Sequence, residues 1–210
     1  MTLETEHTSA QNLSRKLGQY LVCSPGSLQT AVKRQGQILK NTGKSPLIGK
    51  ILVDMEVISE EELENALSRQ RMDRLSQCSV FSTLTPAELI AISKRFTEVN
   101  LERDEQFIYQ GDDDPSMYVI ADGQVEVYLM DIDGNKTSLA NLGAGSPIGE
   151  MAYFSGGKRT ASARSLEPTK LLKAQYNALT HYFENVPHVA HAFMQLVEKR
   201  RQELEQATNG

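Results

Sequence analysis

The stretch that decides the fold is Ile148-Gly149-Glu150-Met151-Ala152-Tyr153-Phe154-Ser155-Gly156-Gly157-Lys158-Arg159-Thr160-Ala161-Ser162. It sets a carboxylate, Glu150, nine residues before a guanidinium, Arg159. One helix-compatible turn and a glycine-rich corner lie between them, and strand-forming sequence flanks both ends. Arg159 offers a planar donor fork suited to phosphate oxygens. Glu150 accepts a hydrogen bond from a sugar hydroxyl. Gly149 lets backbone approach a ligand closely, and the amides opening the Met151–Ser155 turn favour an anion. In isolation each of the two charged residues reads as half of a surface ion pair, which contributes little.

Outward from this cassette, the segment from Phe96 to Leu172 is a series of short strand-like runs: Gln106–Tyr109, Met117–Ile120, Gln124–Met130 and Ser138–Leu142. Gly111-Asp112, Asp122-Gly123, Asp133-Gly134 and Gly143-Ala144-Gly145 separate them and carry turn chemistry. Val125, Val127 and Leu129 alternate with their neighbours. Many short antiparallel strands with this punctuation predict a sandwich or jelly roll. Ahead of them, Thr85-Pro86-Ala87-Glu88 is a capping box with proline in the first turn, and Leu84 is placed to staple onto Leu89. Behind them, a helical piece from Asn177 to Phe183 breaks near Pro187. Val189, Ala190, Phe193, Leu196, Val197 and Leu204 then form the apolar stripe of a last helix reaching about Gln206. Lys199, Arg200 and Arg201 read as its solvated charged face.

The segment from Leu13 to Gln70 reads as two related helical units. Leu17-Gly18-Gln19-Tyr20-Leu21-Val22 is echoed by Ile48-Gly49-Lys50-Ile51-Leu52-Val53, and Ala31-Val32-Lys33-Arg34-Gln35 by Ala66-Leu67-Ser68-Arg69-Gln70. The second copy is four residues longer between its glycine and its glutamine. Ser59-Glu60-Glu61-Glu62 is a capping box before the stripe Leu63, Ala66, Leu67. Lys40 to Pro46 is a polar connector. The expected division is a disordered lead at 1–12, a helical module at 13–70, a polar linker at 71–79 and a β-rich domain at 80–206. The fold class is therefore α+β, with a small helical domain before an antiparallel, jelly-roll-like β-roll and its flanking helices.

Composition narrows the function classes. The 210 residues are 40% hydrophobic and 23% charged, with net charge -5. That balance argues against a broad nucleic-acid surface, so no DNA partner is expected. No apolar run approaches the ~20 residues that span a bilayer. The polar start from Met1 to Gln11 is not a secretory signal. Cys23 and Cys78 lack a CxxC partner and read as free thiols of a reducing, cytoplasmic setting. His7, His181, His188 and His191 all fall outside the expected roll, so neither a metal site nor a catalytic constellation is expected.

From Val80 to about Leu204 the chain resembles the cyclic nucleotide-binding domain family, the β-roll shared by catabolite activator proteins, kinase regulatory subunits and cyclic-nucleotide-gated channels. The resemblance is carried by Gln110-Gly111-Asp112, Met117-Tyr118-Val119-Ile120, Asp122-Gly123-Gln124-Val125, Leu142-Gly143-Ala144-Gly145 leading into Ile148-Gly149-Glu150, and Arg159-Thr160-Ala161. It implies a ribose 2′-hydroxyl on Glu150 and a cyclic phosphate on Arg159. Gly149, Met151, Ala152, Thr160 and Ala161 would line the pocket, and the last helix would act as a lid. Thr160, directly after the arginine, suits a guanine amine but occurs among cyclic AMP responders as well. Cyclic AMP is expected ahead of cyclic GMP. Three positions depart from the pattern: Asp104 stands where a glycine is usual, Pro147 precedes Ile148 where an aromatic pair is frequent, and Lys158 adds a cation beside Arg159.

The helical module resembles the N-terminal domain of type II secretion and type IV pilus ATPases, some of which bind cyclic di-GMP through a repeated Arg-Leu-Gly motif. Lys16-Leu17-Gly18 and Leu47-Ile48-Gly49 both lack that arginine in register, and losing a stacking, bidentate guanidinium is not conservative. The module is therefore read as a protein-docking unit, toward secretion, pilus or other signalling machinery, ahead of a second nucleotide site. The expectation is a non-enzymatic cytosolic sensor that relays nucleotide occupancy through its last helix. No helix-turn-helix segment is read after that helix, so direct transcription control is not expected. The alternatives are an assembly protein with a vestigial pocket that dimerises through the last helix, and a cyclic di-GMP-responsive regulator.

Overall fold

The computed structural model describes residues 17–43 and 46–209. The expected lead at 1–12 lies outside the described residues. A short 3-10 turn at Leu17–Gln19 precedes α1 (Pro25–Thr42), α2 (Ile48–Asp54), α3 (Glu60–Ser76) and α4 (Pro86–Ser93). Eight strands follow: β1 (Thr97–Leu101), β2 (Gln106–Ile108), β3 (Ser116–Asp122), β4 (Val125–Met130), β5 (Lys136–Leu142), β6 (Pro147–Ile148), β7 (Ser162–Ser165) and β8 (Thr169–Gln175). A 3-10 turn at Glu150–Tyr153 sits between β6 and β7, and α5 (Tyr176–Asn185) and α6 (Pro187–Asn209) close the order.

The strands form two four-stranded antiparallel sheets, ordered β1-β8-β3-β6 and β2-β7-β4-β5. Strand alternation divides the burial. In β3, Tyr118 and Ile120 point between the sheets with Leu101, Ile108, Val125, Ile148, Ala163 and Leu171. Met117, Val119 and Ala121 point the other way, into the core shared with the helices. Both faces of β3 are covered, which explains its unbroken apolar run.

The helical module has its own small core around Leu21, Ala31, Ile51, Leu52, Ile58 and Ala66. The glycines of its repeated motif, Gly18 and Gly49, serve the same local purpose. A β-carbon on Gly18 would stand 2.9 Å from Leu28 Cδ2, and one on Gly49 would stand 2.5 Å from Leu63 Cδ1. Each glycine lets a leucine of the following long helix lie flat on a short helical turn. The glycine-to-leucine spacing is four residues longer in the second unit, matching the length difference in the sequence repeat. The extra turn carries Glu56 in the left-handed region, with Val57 N–H donating to Leu52 O.

Capping follows the sequence. Ser24 caps α1, Gly43 ends it in a left-handed cap, and complete capping boxes start α3 at Ser59 and α4 at Thr85. One expectation is corrected. Arg71 to Cys78, expected as a polar linker, continues α3 through Ser76, and Leu75 and Cys78 are fully buried in the core of the roll. Its helical phase was hidden because the turns between Ala66 and Leu75 face protein with Gln70 and Arg74, both buried. Thus α3 lends Ala66 to one core and Leu75 to the other. Asp104 takes φ 64°, holding the left-handed turn where the family has glycine; aspartate tolerates that region better than most residues.

Candidate functional site

The cassette is positioned by backbone before any side chain acts. Pro147 and Ile148 pair with Val119 and Tyr118 of β3, which delivers Gly149 and Glu150 to the open end of the roll. Gly111, at φ +88°, donates to Arg159 O at 2.8 Å, and Arg159 N–H donates to Asp112 O at 2.9 Å. The Gln110-Gly111-Asp112 turn therefore holds the backbone of Arg159 from both sides.

Arg159 is buried, and its guanidinium runs beneath Gly149. A β-carbon at Gly149 would lie 2.2 Å from Arg159 Nη1, and φ there is +85°, so glycine is required on both counts. Arg159 Nη1 donates to Gly149 O at 3.1 Å; Nη2 donates to Asp114 Oδ2 at 2.8 Å and to Ser116 Oγ at 3.1 Å. Its Nε is buried without a hydrogen-bond partner among the described residues. Tyr176, the first residue of α5, donates its hydroxyl to the same Gly149 carbonyl. Burial alone would raise the Asp114 carboxyl, but the Ser116 hydroxyl and the Arg159 guanidinium outweigh it and hold it below the usual carboxylate range. Lys173 Nζ, 3.7 Å from Asp114, adds to the same side.

Glu150 is in the opposite condition. It is 3% exposed, and burial pushes its carboxyl above the usual range despite the nearby guanidinium groups of Arg200 and Arg159. Arg200 comes from α6, with Nε 3.6 Å from Glu150 Oε1 and Nη1 3.0 Å from Glu203 Oε2. The expectation of a solvated Lys199-Arg200-Arg201 face is thereby corrected. Arg200 has a side chain only 19% exposed, whereas those of Lys199 and Arg201 are 73% and 53% exposed. The reason is helical phase: Arg200 falls four residues from both Leu196 and Leu204, in the gap of the apolar stripe.

Between cassette and α6 lies a solvent-connected cavity of about 70 Å³. All seven residues expected to form the site, Gly149, Glu150, Met151, Ala152, Arg159, Thr160 and Ala161, line it. Leu139 and Ala140 of β5 and Arg200, Glu203 and Leu204 of α6 complete the wall. Lys158 is exposed and does not line the cavity. Asp114, Ser116, Tyr176 and Arg200 are the residues that sequence reasoning missed. Aromatic packing holds α6 against the cassette. Phe193 of α6 stacks on Phe183 of α5 at 3.9 Å between centroids and meets the Tyr153 edge at 5.5 Å.

Comparison with known proteins agrees with this geometry. Residues 98–185 match the sequence profile of the cyclic nucleotide-binding domain. The cyclic AMP receptor protein of Thermus thermophilus is 30% identical over 126 residues, covering 60% of this chain and 58% of that protein. The crystal structure of the Thermus thermophilus catabolite activator protein superposes with a TM-score of 0.55 at 30% identity, covering 62% of each chain. Lysophospholipase nte1 of Aspergillus oryzae is 22% identical over 204 residues, 97% of this chain but 13% of that enzyme. The chain spans less than two thirds of the length of these curated relatives. Turn pattern, two-sheet topology and sequence match coincide: residues 98–185 belong to the cyclic nucleotide-binding domain family.

Proposed function

We propose that this chain is a non-enzymatic signalling protein that binds a cyclic mononucleotide, cyclic AMP ahead of cyclic GMP, and relays its occupancy through α6 to a protein partner or to the helical module. The observation that carries the reading is that Arg159, whose buried Nε has no hydrogen-bond partner among the described residues, lines one cavity together with Glu150. A buried guanidinium with an open donor favours an anion, and the carboxylate beside it favours a hydroxyl-bearing one. Gly149, Met151, Ala152, Thr160 and Ala161 supply the surrounding wall. The name of the Thermus relative supports cyclic AMP as the first ligand to test.

The non-enzymatic part of the proposal rests on what the cavity offers. Its ionised groups are paired with one another, and its hydroxyl residues, Thr160 and Ser162, have no histidine beside them in the wall. The match to a lysophospholipase involves a small share of that enzyme. The relay rests on α3, which enters both cores, and on Gly145, which packs close against the Gln77 carbonyl at the end of α3, on the loop that leads into β6. The helical module is a docking unit for a protein partner in this proposal, and the two free thiols fit a reducing cytoplasm.

Titration with cyclic AMP, cyclic GMP and cyclic di-GMP, read by thermal unfolding and calorimetry, tests the proposal. A ligand at 100 times its Kd adds about 2.7 kcal/mol of stability. Binding of a cyclic mononucleotide is the expected result; absence of heat and of any thermal shift at millimolar concentration overturns it.

A further inference from the structure

The helical module carries two surfaces that its own core does not use. One is an open groove of about 510 Å³ between α2 and α3. Val53, Leu63 and Leu67, each half-buried, form its floor, and Lys50, Asp54, Glu60 and Glu64 form its exposed rim. The stretch from 48 to 64, which supplies most of this wall, holds six carboxylates and one lysine. Glu64 is tied to Arg71, whereas Asp54 and Glu60 have no ion-pair partner among the described residues.

The other surface is the outer face of α1. Val32, Gly36 and Leu39 fall at i, i+4 and i+7, one stripe of the helix, and Val32 and Leu39 are 52% and 45% exposed. A β-carbon on Gly36 would meet nothing within 4 Å, so no packing inside the chain calls for glycine at a mid-helix position where alanine is favoured. Glycine there does let the backbone of a second element come close. Lys33 and Lys40, both exposed, flank the stripe on one side. The 18 residues of α1 include three cations and no carboxylate. The module thus presents an apolar stripe edged with lysine and an apolar groove edged with carboxylate, complementary in charge. Every copy carries both, so a two-fold pair makes the contact twice.

We propose that two copies of this chain pair through their helical modules, α1 of each seated in the α2/α3 groove of the other. Val32 and Leu39 then cover Val53, Leu63 and Leu67, Gly36 supplies the close approach, and Lys33 and Lys40 face Asp54 and Glu60. This rests on the docking reading of the module and names its occupant as a second copy.

The test is the mass of the 210-residue chain in sedimentation equilibrium. The wild type is expected to be a dimer at about 100 μM, a concentration that fills a pair of micromolar Kd, and to dissociate as salt rises. One variant carries Lys33→Glu with Lys40→Glu, a second Asp54→Lys with Glu60→Lys. Each alone sets like charges together at both contacts and should weaken pairing at least about 10-fold. An equimolar mixture should recover the dimer, because every stripe then meets a groove of opposite charge. Misfolded variants would give no such recovery. Val32→Ser with Leu39→Ser, both at exposed positions, should also yield a monomer, with an unfolding temperature near that of wild type. A monomeric wild type overturns the inference; it leaves the groove to a helix of another protein and the docking reading intact. A dimer unchanged by both charge reversals overturns it too and moves the pairing to another face. So does a mixture that stays monomeric while both variants keep the wild-type unfolding temperature.

Discussion

The β-roll and the helical module place their glycines for different ends. In the roll, Gly111, Gly123, Gly134, Gly145 and Gly149 all have positive φ and turn the chain. In the module, Gly18 and Gly49 sit in ordinary backbone and make room for Leu28 and Leu63. The first usage puts backbone and charged side chains at the open end of a sheet, where a ligand is met. The second buries a helix against a turn. Similar glycine-bearing motifs, each repeated along the chain, therefore indicate a site in one region and only packing in the other.

The largest effect should come from Arg159→Ala. It removes a buried cation that lines the cavity and leaves Asp114 without the nearer of its two ion-pair partners. Truncating one member of a buried charged pair costs about 2–5 kcal/mol, so nucleotide affinity should drop at least ~30-fold by calorimetry. Retention of full affinity would remove the roll's claim to the site and erase the contrast between the two regions.

A pair of alanine substitutions sharpens it. Gly149→Ala adds a carbon onto Arg159 Nη1 in a left-handed backbone position, and should abolish most nucleotide binding. Gly49→Ala adds a carbon against Leu63, the flexible end of a leucine, and should lower unfolding stability by about 1–3 kcal/mol. Its nucleotide Kd should stay within twofold of wild type. A large loss of affinity in Gly49→Ala would mean that the module and the cassette act as one unit.

How much of this was legible in the sequence follows from range. Turn glycines, capping boxes and strand alternation are local, and the β-roll and α4 were read from them, whereas the full set of seven site residues came with the resemblance to the cyclic nucleotide-binding domain. Asp114 and Ser116 lie more than forty residues from Arg159, on the far side of β3, β4 and β5, and no periodic signal ties them together. Tyr176 reaches Gly149 from the first turn of α5. Arg200 did leave a local trace, a single charged residue in the otherwise apolar phase from Phe193 to Leu204. The run Lys199-Arg200-Arg201 masked it, because three consecutive cations look like a solvated face until the helical phase separates them. The expected linker at 71–79 failed for a related reason: buried Gln70 and Arg74 interrupt the apolar stripe of a helix that both cores share.

Within the roll, two carboxylates should respond oppositely to pH. The Asp114 carboxyl is held below its ordinary range, so its stabilisation is full above that range and is lost as pH falls through the lower folded value. The Glu150 carboxyl is raised, so the contribution runs the other way: it is full below about pH 4 and is lost as pH rises through the raised folded value. Asp114→Asn should therefore lower the ligand-free unfolding temperature at pH 7. Glu150→Gln should raise it by a few degrees at pH 7, with the gain shrinking toward pH 4, while nucleotide binding is lost. Stability gained at the expense of binding is the mark of a functional group. A Glu150→Gln variant less stable than wild type at pH 7 would instead make Glu150 a structural ion-pair member.

The smallest expected effect tests the join between the regions. Ser59 Oγ accepts the Glu62 amide at 3.2 Å, and the Glu62 carboxylate accepts the Ser59 amide at 2.8 Å, closing the capping box that starts α3. Ser59→Ala should cost about 1 kcal/mol of stability. The loss falls at the end of α3 that packs within the helical module, about four turns before Leu75 enters the roll. Hydrogen exchange should therefore quicken in the first turns of α3 and in α2, with no change in β3 or the cassette. If nucleotide affinity shifts as well, fraying at Ser59 has travelled along α3 to Gln77 and Gly145, and this helix is the mechanical link between the helical module and the β-roll.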